Sequence, residues 1–217
     1  MNTDAFWAFC LHVAVLSYLL GSCNFAIILS KIFKKDDVRN HGSGNAGMTN
    51  ILRTYGKKAA FFTALGDFSK AVIAVQLARY LFDFGGIESV CDPGYIAGLF
   101  VLLGHVFPLY FGFKGGKGVM TTLGVLFMVN PIVFLIICVI FVPLIFITRI
   151  VSLGSVCGAI AYPIVTFAVR LLQGRPDVFE TVCTIITGGL VLYVHRSNIK
   201  RLLNGTENRF EPKKKKK

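Results

Sequence analysis

The sequence predicts an all-α fold, a polytopic membrane bundle of about seven transmembrane helices. Three observations carry that expectation. Of 217 residues, 54% are hydrophobic and only 16% charged, and the mean hydropathy is +0.66. Long apolar runs therefore dominate, which excludes an ordinary soluble domain. The formal net charge of +12 would point to nucleic acid in a soluble chain. Here the basic residues sit in short segments between apolar runs, so they report topology and no nucleic-acid partner is expected.

The spans follow in order. Residues 5–29 form a full-length apolar segment with no small-residue cleavage site, read as one retained helix. A polar segment, 30–58, separates it from 59–82, which is apolar but holds Asp67 and Lys70. Residues 94–113 are the next clear span, and the loop "FKGGKGVMTT" follows. Residues 119–147 are too long for one ordinary span. Asn130-Pro131 is a turn signal that divides them into a short helix and a longer one. Spans at 151–173 and 178–194 complete seven crossings. One integral membrane domain is expected over 1–207, with a basic tail at 208–217.

Parity then sets the orientation. Residues 30–58, the glycine loop, 148–150 and the segment from His195 onward fall on one side, carrying seven, two, one and nine of the 23 basic residues. The other side carries Asp4, Asp83, Glu88, Asp92, Asp177 and Glu180. By the positive-inside rule the N-terminus is outside and the C-terminus cytoplasmic. Five of the six cysteines lie in apolar stretches and only Cys91 in a polar loop, so free thiols and no metal site are expected.

Folded this way, the unusual segments share the cytoplasmic face. The first contains "GSGNAGMTNILR", where Ser43, Asn45, Thr49, Asn50 and Arg53 surround Gly42, Gly44 and Gly47. The glycine loop offers Lys114 and Lys117 among Gly115, Gly116 and Gly118, a pattern suited to an anion or, more simply, to a basic turn anchored at anionic lipid. It is not a nucleotide P-loop, because Gly116-Lys117 is followed by glycine and no strand precedes it. "TRIVSLGS" offers Arg149 and Ser152, and "HRSNIKRLLNGTEN" offers His195, Asn198, Arg201 and Glu207. Together these segments read as one composite site.

"GSGNAGMTNILR", "GHVFPLYFGFKGGKGV", "TRIVSLGS" and "HRSNIKRLLNGTE" are similar, in order and spacing, to the motifs of the bacterial acyl-phosphate:glycerol-3-phosphate acyltransferases. The likeness runs from Gly21 to Glu207; Cys23-Asn24 departs from it, since many relatives have an apolar residue followed by proline there. The resemblance implies acyl transfer from acyl phosphate to glycerol 3-phosphate, giving lysophosphatidic acid and phosphate as the first acylation of phospholipid synthesis. It implies a multi-pass inner-membrane enzyme working on the cytoplasmic side, without cofactor or metal. Its partners would be the two substrates, membrane lipids and a functional link to an acyl-phosphate-producing enzyme.

Carried onto this chain, the resemblance makes Ser43, Arg53, Lys117, His195, Asn198 and Glu207 the catalytic candidates. Asn45, Thr49, Asn50, Lys114, Gly115, Gly116, Gly118, Arg149 and Ser152 are candidates for substrate or phosphate binding. Lys117 and Arg53 would hold phosphate, with headgroup anchoring and topology marking as the plainer roles. His195 is a general base, an orienting donor or a helix-end histidine. Glu207 binds glycerol hydroxyls or secures the tail. Asp67 and Lys70 form an i,i+3 pair of functional or structural use. His105, in "GHVFP", would shape the glycine loop.

Thioester-using acyltransferases commonly carry a histidine and aspartate separated by four residues. The fifth residue after each histidine here is Ser17, Ala46, Tyr110 or Lys200, so that dyad is missing. A transporter of a phosphorylated metabolite would also need basic residues and broken helices, yet it commonly shows internal repeats and this chain has none. A purely structural or lipid-binding membrane protein would explain the basic segments without the clustered glycines and asparagines.

Overall fold

A computed structural model describes residues 3–89 and 91–209. Among them every regular element is helical. The chain divides into two compact units at Pro131. Most of the expected basic tail, 210–217, lies outside the described residues.

In the first unit, α1 (Thr3–Ser22) and α2 (Phe25–Lys34) replace the single helix expected over 5–29. The apolar run continues through the break, which is why composition alone missed it. Asn24 stops the ladder and restarts it: its side chain caps α2 by accepting from the Ile27 amide at 3.2 Å. A 3-10 turn (Val38–Asn40) and α3 (Met48–Tyr55) follow, then the 28-residue α4 (Lys57–Phe84), α5 (Gly94–Val106), a 3-10 turn (Leu109–Phe111) and α6 (Val119–Val129). Helices α1, α4, α5 and α6 pack together through small residues. A Cβ at Gly21 would lie 2.2 Å from the Val101 carbonyl oxygen, one at Gly104 2.2 Å from that of Tyr18, and one at Gly124 2.5 Å from that of Phe68.

The second unit contains α7 (Pro131–Thr148), α8 (Val151–Leu172), α9 (Val178–Val194) and α10 (Arg196–Leu203). Helix α7 begins directly after Asn130, where the turn signal placed the division. Gly154 of α8 packs against Ile145 of α7, and Gly188 of α9 against the Ala159 carbonyl of α8. Apolar side chains such as Phe146, Ile147, Ile164 and Leu172 stay exposed, as a lipid-facing surface requires.

Five helical segments among the described residues are long and apolar enough to cross a membrane: Asp4–Lys34, Lys57–Phe84, Gly94–Phe111, Pro131–Thr148 and Val151–Leu172. Helices α9 and α10 make a sixth if their 65° bend is counted within one span. The seventh expected segment, α6, is helical but spans only 11 residues. The chain is a multi-pass membrane protein.

Candidate active site

The break between α1 and α2 frees backbone carbonyls in an apolar setting, and a buried polar cluster answers them. Lys70 Nζ on α4 donates to the Gly21 and Cys23 carbonyls, each at 2.9 Å. It also lies 2.9 Å from Asp67 Oδ1 and 2.9 Å from His105 Nδ1. His105 Nδ1 is also 3.4 Å from Asp67 Oδ1, so the ring sits between the ammonium and the carboxylate. Asp67 in turn accepts the Phe25 amide, at 3.4 Å. The i,i+3 pair read from the sequence is therefore present, and it joins the broken helix to the end of α5.

The glycine loop rests on that end. The amides of Gly115 and Gly116 donate to the carbonyls of Val106 and His105, at 3.1 and 3.2 Å. A Cβ at Gly116 would lie 2.3 Å from His105 Nε2 and 2.4 Å from the Ala46 carbonyl oxygen. The loop thus runs between His105 and the residue that precedes the α3 N-cap by one. This corrects the reading of Gly115 and Gly116 as anion donors: their amides are engaged within the loop, and the missing side chains serve close packing. Gly118 adopts φ +74° and starts α6. Lys114 is exposed, and Lys117, between Gly116 and Gly118, is half-buried.

The segment before α3 is held by one side chain. Asn50, buried at the start of α3, donates to the Val38 and His41 carbonyls at 3.0 and 2.9 Å and accepts the Ser43 amide at 3.1 Å. These bonds use both of its donors and one lone pair of its oxygen, so Asn50 is the keystone of the 38–50 loop. Asn24 adds a bond to the Ala46 carbonyl at 3.3 Å. What the loop leaves outward is Ser43 and, on one face of α3 at i,i+4 spacing, the half-buried Thr49 and the exposed Arg53. Asn45 is half-buried beside Gly47.

A second polar cluster here was not singled out from the sequence. Asp36 accepts from the Tyr55 hydroxyl at 2.8 Å and pairs with His41, tying the start of this loop to the last residue of α3. The Tyr55 hydrogen bond, then the Asp37 amide and His41, hold the exposed Asp36 carboxyl below its ordinary range against a smaller opposing burial effect. Burial first, then the Asp36 bond, pushes the Tyr55 phenol up to about 12 from an ordinary 10.0. A folded value above the unfolded one stabilises fully below pH 10.0, and the gain is lost as pH rises through about 12. Wild type should therefore exceed Tyr55→Phe in thermal midpoint below pH 10.0 and lose that advantage across this window; a difference constant in pH would refute the bond's contribution.

In the second unit, Arg149 caps α7 in a left-handed conformation, φ +59°, with its amide 2.8 Å from the Ile145 carbonyl oxygen and its side chain exposed. Ser152 follows in the first turn of α8. It is buried, and its hydroxyl has no hydrogen-bond partner among the described residues, an uncommon state that a ligand would relieve. His195, at the bend between α9 and α10, is also buried and donates from Nδ1 to the Val191 carbonyl at 2.8 Å. That bond places the neutral ring's lone pair on Nε2. One turn on, Asn198 donates to Glu207 Oε1 at 3.0 Å, while Arg201 Nε reaches Oε2 at 2.8 Å. The carboxylate thereby fastens residues 204–207 back onto α10.

The first unit thus carries a buried ionic cluster under its glycine loop, and the second a buried histidine at a helix bend. The matching family model, described as glycerol-3-phosphate acyltransferase, covers residues 11–205. The glycerol-3-phosphate acyltransferase of Clostridioides difficile is 42% identical over 93% of this chain and 96% of the relative. That of Neisseria meningitidis serogroup C (strain FAM18) is 41% identical over 95% and 100%. A crystal structure of PlsY, an integral membrane glycerol 3-phosphate acyltransferase, in its glycerol 3-phosphate form superposes with TM-score 0.78 at 38% identity, covering 93% of this chain and 96% of that one. Its lysophosphatidic acid form gives 0.76 at 37%, covering 93% and 95%. The chain belongs to the glycerol-3-phosphate acyltransferase family and is an acyltransferase.

Proposed function

We propose that this acyltransferase takes its acyl group from acyl phosphate and gives it to glycerol 3-phosphate, at the cytoplasmic face of a bacterial inner membrane. The acceptor hydroxyl oxygen attacks the acyl carbon, the bond to the leaving phosphate breaks, and the hydroxyl proton goes to a phosphate oxygen or to His195. The products are lysophosphatidic acid and phosphate. The observation that carries this reading is the first unit's pairing of an exposed Arg53 helix with the Lys117 loop, joined where Gly116 meets Ala46. A cation on each of two adjoining segments suits reactants that both bear phosphate, and such cations stabilise charge as a leaving phosphate departs.

Ser43, Asn45 and Thr49 offer further polar contacts around Arg53, with Lys114 as a surface cation. Arg149 and the unpartnered Ser152 hydroxyl are the second unit's phosphate candidates, and His195 its base or orienting donor, steadied through α10 by Asn198 and Glu207. Both units, 1–207, then serve one acyltransferase domain. The related PlsY structures, in forms with acceptor and product, support the acceptor side. The donor side rests on the missing His-x4-Asp dyad: without an aspartate to orient and charge-stabilise a histidine base, a mixed anhydride is the more suitable donor.

Purified protein in lipid, assayed in parallel with acyl phosphate, acyl-CoA and acyl-carrier protein, should form lysophosphatidic acid from the first alone. Comparable rates with a thioester would sink the donor assignment, and no product from any donor would favour the transporter. For orientation, Lys114→Cys in sealed cells should resist an impermeant thiol reagent that labels native Cys91; the reverse pattern inverts the topology.

A further inference from the structure

One side chain, that of Arg39, links the two loops of the first unit. Arg39 lies in the 3-10 turn, next to Val38, which is fully buried among Ile27, Ala46 and Ile51. Its backbone is anchored on both sides: the Val38 amide donates to Ser30 Oγ at 3.2 Å, and the Val38 carbonyl accepts from Asn50. The Asp37 carboxylate takes Nε at 3.0 and 3.2 Å and NH2 at 2.8 Å. That leaves NH1, which donates to the carbonyls of Phe111 at 2.7 Å and Lys114 at 3.1 Å. One face of the guanidinium is fixed by a carboxylate and the other grips the glycine loop at two points.

The gripped segment needs a restraint. Gly112 and Phe113 are consecutive left-handed residues, with φ of +67° and +58°, and for phenylalanine that conformation is strained. The Phe113 amide has one bond, to the Pro108 carbonyl at 2.9 Å. Lys117 lies three residues beyond the second gripped carbonyl. Only a planar fork serves a carboxylate and two carbonyls at once; a lysine ammonium at this position would lack that geometry.

We propose that Arg39, oriented by Asp37, is a positioning residue that sets the conformation of the glycine loop and through it the placement of Lys117. For its effect on turnover this rests on the function proposed above; the restraint on the loop does not. Two measurements on the full chain in nanodiscs separate them. In substrate-free protein, Arg39→Ala should speed hydrogen exchange of the amides in 111–116 by about tenfold or more, with α1 and α4 unchanged, because the grip limits local opening. In the acyl-phosphate assay the same variant should lose at least about tenfold in kcat/KM, since misplacing a charged group by an ångström is enough for that. Added guanidinium ion should restore part of the rate where sodium does not, and Arg39→Lys should stay impaired.

Unchanged exchange in 111–116 would overturn the clamp, and faster exchange with unaltered kcat/KM would overturn its link to Lys117. A wild type that turns over no donor would sink the proposed function, while the exchange comparison would still decide the clamp. If Arg39→Ala does not fold, Asp37→Asn removes the orienting charge and keeps the guanidinium. It should move both readouts in the same direction by less, and no movement in either would refute the proposal.

Discussion

Lys117→Ala and Arg53→Ala should each lose about thirty- to eight-hundredfold in kcat/KM while folding and inserting normally. Each removes a cation proposed to make charge-assisted contacts to phosphate, worth about 2 to 4 kcal/mol in a water-poor site, and each 1.36 kcal/mol is a factor of ten. Arg53 is exposed and contributes no ion pair or hydrogen bond from its side chain among the described residues, so its truncation takes nothing from the fold. Arg53→Lys separates charge from geometry: a point charge in place of a bidentate fork should recover only part of the loss. Steady-state rates on protein matched for thermal midpoint decide the matter. Near-normal turnover in both alanine variants would return these residues to the plainer role of topology marking.

The largest effect on stability is expected at the helix break. Asp67→Ala removes the carboxylate beside Lys70, whose side chain is 4% exposed. An ammonium left there without its counter-charge should cost about 3 to 5 kcal/mol. Removing both charges, in Asp67→Ala with Lys70→Met, should recover part of this. The recovery stays incomplete because the Gly21 and Cys23 carbonyls lose their donor, at about 1 to 3 kcal/mol for each buried group left bare. Chemical unfolding in detergent would show the order wild type, double variant, single variant. A single variant as stable as wild type would mean that Lys70 finds its compensation elsewhere.

These two sites also show what a sequence discloses. The division at Asn130-Pro131 was legible because both turn residues are adjacent in the chain. The interruption at Cys23-Asn24 was not, since it is supported by Lys70 and Asp67 more than 40 residues away, and Ser22 and Asn24 alone do not mark a break in an otherwise apolar run. The pair Asp67 and Lys70 was readable as i,i+3 partners on one helix, but their meeting with His105 depends on how α4 and α5 pack. Asn50 looked like Asn45 and Thr49, a polar residue in a glycine-rich stretch; only the loop's closure shows that its hydrogen bonds are spent on Val38, His41 and Ser43. Asp36, Arg39 and Tyr55 passed as ordinary charge and aromatic content because their partners are chosen by the fold.

Helix α6 has a consequence for the lipid around it. Its 11 residues rise about 16 Å, against a hydrocarbon thickness of about 30 Å. As the seventh crossing expected from the sequence, it would need irregular backbone to make up the span, which a bilayer tolerates only where protein or water covers it. The glycine loop at its N-terminus is such backbone, cushioned by His105, Val106 and Ala46. Hydrophobic mismatch would then concentrate at this helix. On the proposed role of Lys117, the depth at which an amphiphilic substrate presents its headgroup would be a property shared between protein and bilayer, and turnover should then vary with acyl-chain length in the surrounding phospholipid.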